Sequence, residues 1–330
     1  MLRLIEKTQF IFQLKDKDTV VSPFLVKHAQ LGTDKNSKPY LNLVLVDSSG
    51  EIEARIWGDA PKYAGQVVRD GLIAVKGRVQ SYQSRLQIVI SELEILREDQ
   101  VVMADFLPKL KVDPEALHAK LVAAVGTMKD PFYRALAQSV LQEDAEIVGL
   151  LKRAPAAKSM HHAYPGGLIE HMVSITGILD FLSGHYGEAV DRDLLFLGGF
   201  FHDIAKIWEL SFERTTDYTT QGKLVGHLVM GVELVDRKIR ELEAQTDRLP
   251  GPFPENKKLL VKHLILAHHG KLEYGSPVVP QTLEAVIVHA IDDLDSKVNQ
   301  IGRFISQDVS AGDWTVLNKH HNRFFYKGAR

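Results

Sequence analysis

Residues 193–208 read DLLFLGGFFHDIAKIW. Apolar residues recur at three- and four-residue spacing, which predicts one buried helix carrying His202, Asp203 and Lys206. Neighbouring residues on a helix diverge by about 100°, so His202 and Asp203 cannot clasp one ion as an i, i+4 pair does. Both reach a common site if the helix runs past it. A carboxylate has two oxygens, so Asp203 has the means to bridge two ions. Lys206 lies one turn beyond Asp203 on the same side, placed to meet a phosphate.

Working outward, further candidates come one or two to a helix. His171 lies within GGLIEHMVSI, and His227 near the start of KLVGHLVMG. His268 and His269 end KHLILAHHG, and Asp292 sits in HAIDDLD. Each stands on an apolar helix, where an unpaired charge is costly. A lone histidine there is more often a hydrogen-bonded core residue. The joint pattern of five elements in order argues instead for a metal site, with catalytic weight on His202, Asp203 and Lys206. Of the pair His268 and His269, either could ligate while the other meets phosphate. An all-nitrogen-and-oxygen donor set suits Mn²⁺, Co²⁺, Fe or Zn²⁺ better than Ca²⁺. Two divalent ions are expected, with Mn²⁺ placed first. His263 is rotated away from His268 and reads as structural. His289 reads as a hydrogen-bonding support, and His28, His118 and His185 as surface or loop residues.

Composition sharpens what chemistry remains. The 330 residues include 14 histidines and no cysteine, which excludes disulfides, thiolate nucleophiles and Cys-ligated metals. The N-terminus is broken by charges, unlike a signal peptide, and no apolar run reaches the roughly 18 residues of a membrane span. A cytoplasmic protein that meets no membrane is the expectation. Residues 1–98 carry 14 Lys+Arg against 12 Asp+Glu, whereas the whole chain has a net charge of −2.

The first half has a different texture. TVVSPFLVKHAQLG (19–32), YLNLVLVD (40–47), EIEARIW (51–57), GLIAVKGRVQSY (71–82) and RLQIVISELEIL (85–96) read as five strands. The last two flank a turn at Gln83 and Ser84, and a short helix follows the third. That order suggests a small Greek-key barrel, with the oligonucleotide-binding (OB) fold as its leading member. The expected organisation is multidomain: an all-β OB-fold barrel over 1–98, a linker over 99–113, an all-α helical bundle over 114–310, and a tail over 311–330. Pro108 and Pro114 break the linker, and Asp113 is placed to cap a helix that begins at Pro114. Single-strand binders combine cations with aromatic stacking platforms. The barrel offers Phe24, Tyr40, Trp57 and Tyr82 with Lys27, Lys38, Arg55, Arg78 and Arg85. Tyr82 and Arg85, beside the turn, are the better candidates for substrate binding.

HHAYPGGLIEH, FHDIAK, YTTQGKLVGH, LILAHHGKLEYGSP and HAIDDLDSK together resemble the HD-domain 3′-5′ exoribonuclease family of the YhaM type. Those proteins join an N-terminal OB-type domain to an HD metallophosphohydrolase domain, and the likeness covers nearly the whole chain. The resemblance implies divalent-metal-dependent removal of nucleotides from the 3′ end of single-stranded RNA, with single-stranded DNA as a further partner. By position, it implies metal ligands at His171, His202, Asp203, His227, His268 or His269, and Asp292, with Lys206 on the phosphate. It places His161 and His162 at the substrate entrance, and Lys271 and Tyr274 as weaker phosphate or base contacts. The RFFYK segment (323–327) reads as packing first, with substrate contact as the alternative. Two other readings stay open: an HD hydrolase of small nucleotides with a regulatory barrel, or a non-catalytic nucleic-acid-binding protein with a structural metal.

Overall fold

Strict alternation builds the barrel. Leu41, Leu43 and Leu45 of β2 (Pro39–Asp47) turn inward and are at most 1% exposed, while Asn42 and Val44 face outward. The same phase puts Ile52, Ala54 and Ile56 of β3 (Gly50–Trp57) inside. With β1 (Thr19–Thr33), β4 (Leu72–Tyr82) and β5 (Arg85–Leu96), they close a barrel in the order β1-β2-β3-β5-β4. The crossover between β3 and β5 is parallel, and helix α1 (Ala60–Ala64) lies in the connection between β3 and β4. The structure is a computed structural model that describes residues 5–82, 85–107, 113–158, 162–308 and 310–328. Gln83, Ser84, Pro108 and His161 fall outside the described residues.

Phe24, offered above as a stacking residue, is instead fully buried in the barrel core. β1 does not alternate there: Ser22 through Val26 are all buried, just before the register shifts between Val26 and His28. The Lys7 ammonium sits 3.8 Å from the centre of the Phe24 ring and 3.1 Å from Asp47. Part of the stretch expected to be linker, 99–113, is packed as well. Phe106 is fully buried with Leu25, Leu72 and Leu96.

The helical unit is punctuated by aspartate caps. Asp113, Asp130, Asp144 and Asp191 each accept backbone N–H bonds at the starts of α2 (Pro114–Gly126), α3 (Pro131–Leu141), α4 (Ala145–Leu151) and α6 (Arg192–Phe201). Each cap stabilises its helix by about 1 kcal/mol. The remaining helices are α5 (Gly167–Tyr186), α7 (Lys206–Glu209), α8 (Thr220–Leu224), α9 (His227–Glu243), α10 (Glu255–Ala267) and α11 (Leu283–Gln307). A two-strand ribbon, β6 (Leu210–Ser211) with β7 (Asp217–Tyr218), follows α7.

Two predicted helices are broken. The run 193–208 is not continuous: α6 ends at Phe201, His202 caps it, and α7 starts only at Lys206. The run 223–243 breaks at Gly226, whose φ of +78° no ordinary helix residue adopts. The glycines of FLGGFFHD serve close approach. A Cβ at Gly198 would lie 2.5 Å from Val288 of α11, and one at Gly199 would lie 2.9 Å from Thr176 of α5. The helices that carry Asp292 and His171 therefore pack directly on α6, one turn before His202.

The chain divides into two compact units, Leu110–Ser306 and Met1–Lys109 with Gln307–Arg330. The segment read as a tail thus groups with the barrel unit. Of its aromatic residues, Phe324 and Tyr326 are 56% and 58% exposed, while Phe325 is half-buried. No helix among the described residues is long and apolar enough to cross a membrane.

Candidate metal centre

Five elements of the helical unit deliver His171, His202, Asp203, His227, His268, His269 and Asp292 to one place. His171 stands on the second turn of α5, and Asp292 faces it from α11. The helix break after Phe201 turns Asp203 inward beside His202. His227 opens α9, and His268 and His269 follow the end of α10.

The donors fall into two groups. Ligand atoms of His171, His202, Asp203 and Asp292 lie within 4.8 Å of one another, and so do those of His227, His268 and His269. Asp203 stands between them. Its Oδ2 is 3.7 Å from His171 Nε2 and 3.6 Å from His202 Nε2. Its Oδ1 is 3.4 Å from His227 Nε2 and 3.5 Å from His268 Nε2. Lys206 Nζ donates to Asp203 Oδ2 at 2.6 Å.

Each ring is aimed by its other nitrogen. Nδ1 meets Gly198 O in His202, Ile265 O in His268 and Tyr274 O in His269, at 2.9, 2.7 and 3.0 Å. In His171 it meets Asp295 Oδ2, and in His227 Glu209 Oε1, both at 2.8 Å. In the neutral ring, a proton at Nδ1 leaves the Nε2 lone pair facing inward, as a metal ligand requires. His289 Nδ1 donates in turn to His268 O at 2.8 Å, a support role like that read from its position.

The centre is too polar for what surrounds it. Asp203 Oδ1 and His227 Nε2 are buried without a hydrogen-bond partner. Such atoms are rare and leave desolvation uncompensated. Two imidazole nitrogens, His171 Nε2 and His202 Nε2, lie 3.2 Å apart. An orphaned carboxylate oxygen and imidazole nitrogen side by side, with two further imidazole nitrogens crowded at the other oxygen, are what a divalent cation satisfies, and the nitrogen-and-oxygen donor set fits that group.

Electrostatics follow from the same contacts. Burial alone would raise the Asp203 carboxyl, but the Lys206 charge and nearby histidines hold it well below the usual range. Burial opposes the charge on Lys206 too, yet Asp203 keeps it raised. Burial would lower His171, but the Asp292 and Asp295 carboxylates reverse this and lift it to about 9. His202 has no such hydrogen bond, and burial takes it down to about 4. Burial, with His268 and His227 nearby, does the same to His269.

The other candidates divide between the two units. His162 is 5% exposed, with its ring 5.5 Å from that of His171. Tyr274 anchors His269 through its carbonyl, and its exposed ring lies 5.4 Å from Lys271 Nζ. Tyr82 and Arg85 pair across β4 and β5 on the barrel unit, both exposed. There Tyr40 and Trp57 stack at 4.9 Å, and the Arg55 guanidinium lies 5.7 Å from Tyr40 and 5.5 Å from Tyr82. Lys27 is engaged by Glu51. Two residues escaped the sequence reading: Asp295, one turn past Asp292, and Glu209, at the end of α7. Only the DDLD spacing hinted at the first.

Residues 168–297 match the HD domain family, and residues 25–96 match the OB-fold nucleic acid binding domain family. The chain is 36% identical over 305 residues to the 3′-5′ exoribonuclease YhaM of Oceanobacillus iheyensis, covering 92% of each. The chain belongs to the YhaM exoribonuclease family. Within that family pairing of OB and HD domains, the donor cluster lies inside the HD match. Solved structures similar to part of this chain include the second OB-fold domain of replication protein A from Methanococcus maripaludis. That domain is 20% identical, covering 27% of this chain and 95% of its own, with a TM-score of 0.24. Another is the mitochondrial single-stranded DNA binding protein Rim1 of S. cerevisiae, 14% identical over 25% of this chain and 98% of its own, with a TM-score of 0.21.

Proposed function

We propose that the chain is a metal-dependent phosphodiester hydrolase that removes nucleotides from the 3′ end of single-stranded RNA. The observation that carries the reading is the position of Asp203, with one oxygen toward each donor group. Kinship to an exoribonuclease of the YhaM type supports the polarity and the choice of RNA. His171, His202, Asp203 and Asp292 would hold one divalent ion. Asp203, His227, His268 and His269 would hold a second. The donor set favours Mn²⁺, with Co²⁺, Fe or Zn²⁺ as alternatives.

A bound divalent ion makes water acidic enough to act as a nucleophile near neutral pH and offsets charge on the phosphodiester. The chain's residues supply the rest. The Nδ1 contacts fix the five rings before any ion arrives, so little reorganisation is left for the reaction. Lys206 keeps Asp203 ionised and presents a cation to a phosphoryl oxygen. The buried His162 lies beside His171, where it could meet substrate. On the barrel, Tyr40, Trp57, Arg55 and Tyr82 form a platform suited to unpaired bases.

A substrate panel tests this. Mn²⁺-loaded protein is given single-stranded RNA, single-stranded DNA, duplex RNA, and free and cyclic nucleotides. Release of nucleoside 5′-monophosphates from single-stranded RNA is expected. Hydrolysis of small nucleotides with RNA left intact would overturn the reading, and so would metal-loaded protein inert to all of them.

A further inference from the structure

The five inward-facing histidines are not backed alike. Three meet backbone carbonyls, which any sequence supplies. Two meet carboxylates, His171 through Asp295 and His227 through Glu209, and these two belong to different donor groups. We propose that Asp295 and Glu209 are positioning residues, one for each half of the metal centre, and that each sets the cation affinity of its own half. The inference rests on the two-ion reading above.

A carboxylate acceptor on Nδ1 fixes the tautomer and makes Nε2 a stronger donor than a carbonyl acceptor does. Glu209 also accepts the backbone N–H of His227 at 3.1 Å, so one oxygen fixes both the ring and the first residue of α9. It is 8% exposed, and its carboxylate hydrogen-bonds that histidine twice while its carbonyl accepts from Thr219.

Asp295 is shared. Its Oδ1 accepts from Ser174 Oγ at 2.5 Å, while its Oδ2 meets His171 Nδ1 at 2.8 Å and His162 Nε2 at 3.2 Å. His162 reaches that oxygen from a strained backbone with φ +43°, held by Asn299 Oδ1 on its N–H and by Tyr164 Oη on its ring. Among the described residues, these hydrogen bonds tie the first half, and not the second, to the loop that carries His162.

Manganese titration of the metal-free, full-length protein tests this by calorimetry, without reference to nuclease activity. Wild type is expected to bind two equivalents. Asp295→Asn should weaken one equivalent by about 10–100-fold and spare the other. Glu209→Gln should do the same to the other equivalent, and the double variant should weaken both. Two equivalents at wild-type affinity in either single variant would overturn the proposal. So would loss of both equivalents from one folded single variant. Should Asp295→Asn fail to fold, Ser174→Ala removes a hydrogen bond to Asp295 without touching a proposed ligand. It should weaken one equivalent several-fold, and unchanged binding would remove Asp295 from the account. A protein that binds two ions with this pattern yet leaves RNA intact would defeat the proposed function alone.

Discussion

Oδ1 of Asp203 lies 3.4 Å from Nε2 of His227, and both atoms are buried without a hydrogen-bond partner. The other oxygen of the same carboxylate faces His171 and His202. One side chain therefore serves both donor groups, and the Lys206 ammonium at 2.6 Å keeps it charged.

Asp203→Ala removes an oxygen from both halves at once. Turnover on a short RNA should fall by at least about 10²–10³-fold, and bound Mn²⁺ should fall with it. The barrel unit should keep its fold. Steady-state kinetics beside elemental analysis check this, and a variant with full metal-dependent activity would show the site to be misassigned.

Metal uptake should release a proton. In the metal-free chain His171 titrates at about 9, because Asp292 and Asp295 outweigh burial. A cation needs the neutral ring, so below that pH it competes with the proton. Affinity should rise with pH up to about 9 and then level off, by as much as about tenfold per pH unit for one proton. Calorimetry of Mn²⁺ binding between pH 6.5 and 8.5 measures the slope. A flat profile would contradict the protonated state of His171.

Gly198→Ala places a methyl group 2.5 Å from Val288 Cγ2. Overpacking of this kind costs about 1–3 kcal/mol. The melting temperature of the metal-free protein should drop. Mn²⁺ should bind more weakly, since α11 carries Asp292. An unchanged melt would mean that the α6–α11 contact is looser than described.

Trp57→Ala and Tyr82→Ala remove exposed rings from the barrel platform. Base stacking contributes about 1–3 kcal/mol per base. Binding of a long single strand should weaken several-fold or more, with the cleavage rate of a very short one unchanged. Fluorescence anisotropy beside single-turnover cleavage separates these effects. Equal loss on both lengths would argue against a capture role.

Much of this was legible in the chain. The five strands fall within a residue of their reading because alternation in β2 and β3 is strict, and turns mark the strand ends. Phe24 misled because β1 buries consecutive residues where it bends, so neither face can be assigned from phase. The seven candidate ligands were visible as His and Asp on apolar helices. The break after Phe201 was not, since apolar spacing runs through it and only packing against α5 and α11 fixes the turn. Asp295 contacts His171 across 124 residues, and Glu209 contacts His227 across 18. Such pairings are set by tertiary packing, and local sequence does not name the partner. Nor could spacing choose between His268 and His269, which the fold brings to the same donor group.

The central claim is chain shortening from the 3′ end by a divalent-metal centre. Its most direct test is digestion of 5′-labelled single-stranded RNA with Mn²⁺, followed over time on a denaturing gel. The account predicts a ladder of labelled products that shortens stepwise from the 3′ end, stops with chelator and resumes when Mn²⁺ is restored. Immediate release of the label as a mononucleotide, or the same ladder in the presence of chelator, would contradict it.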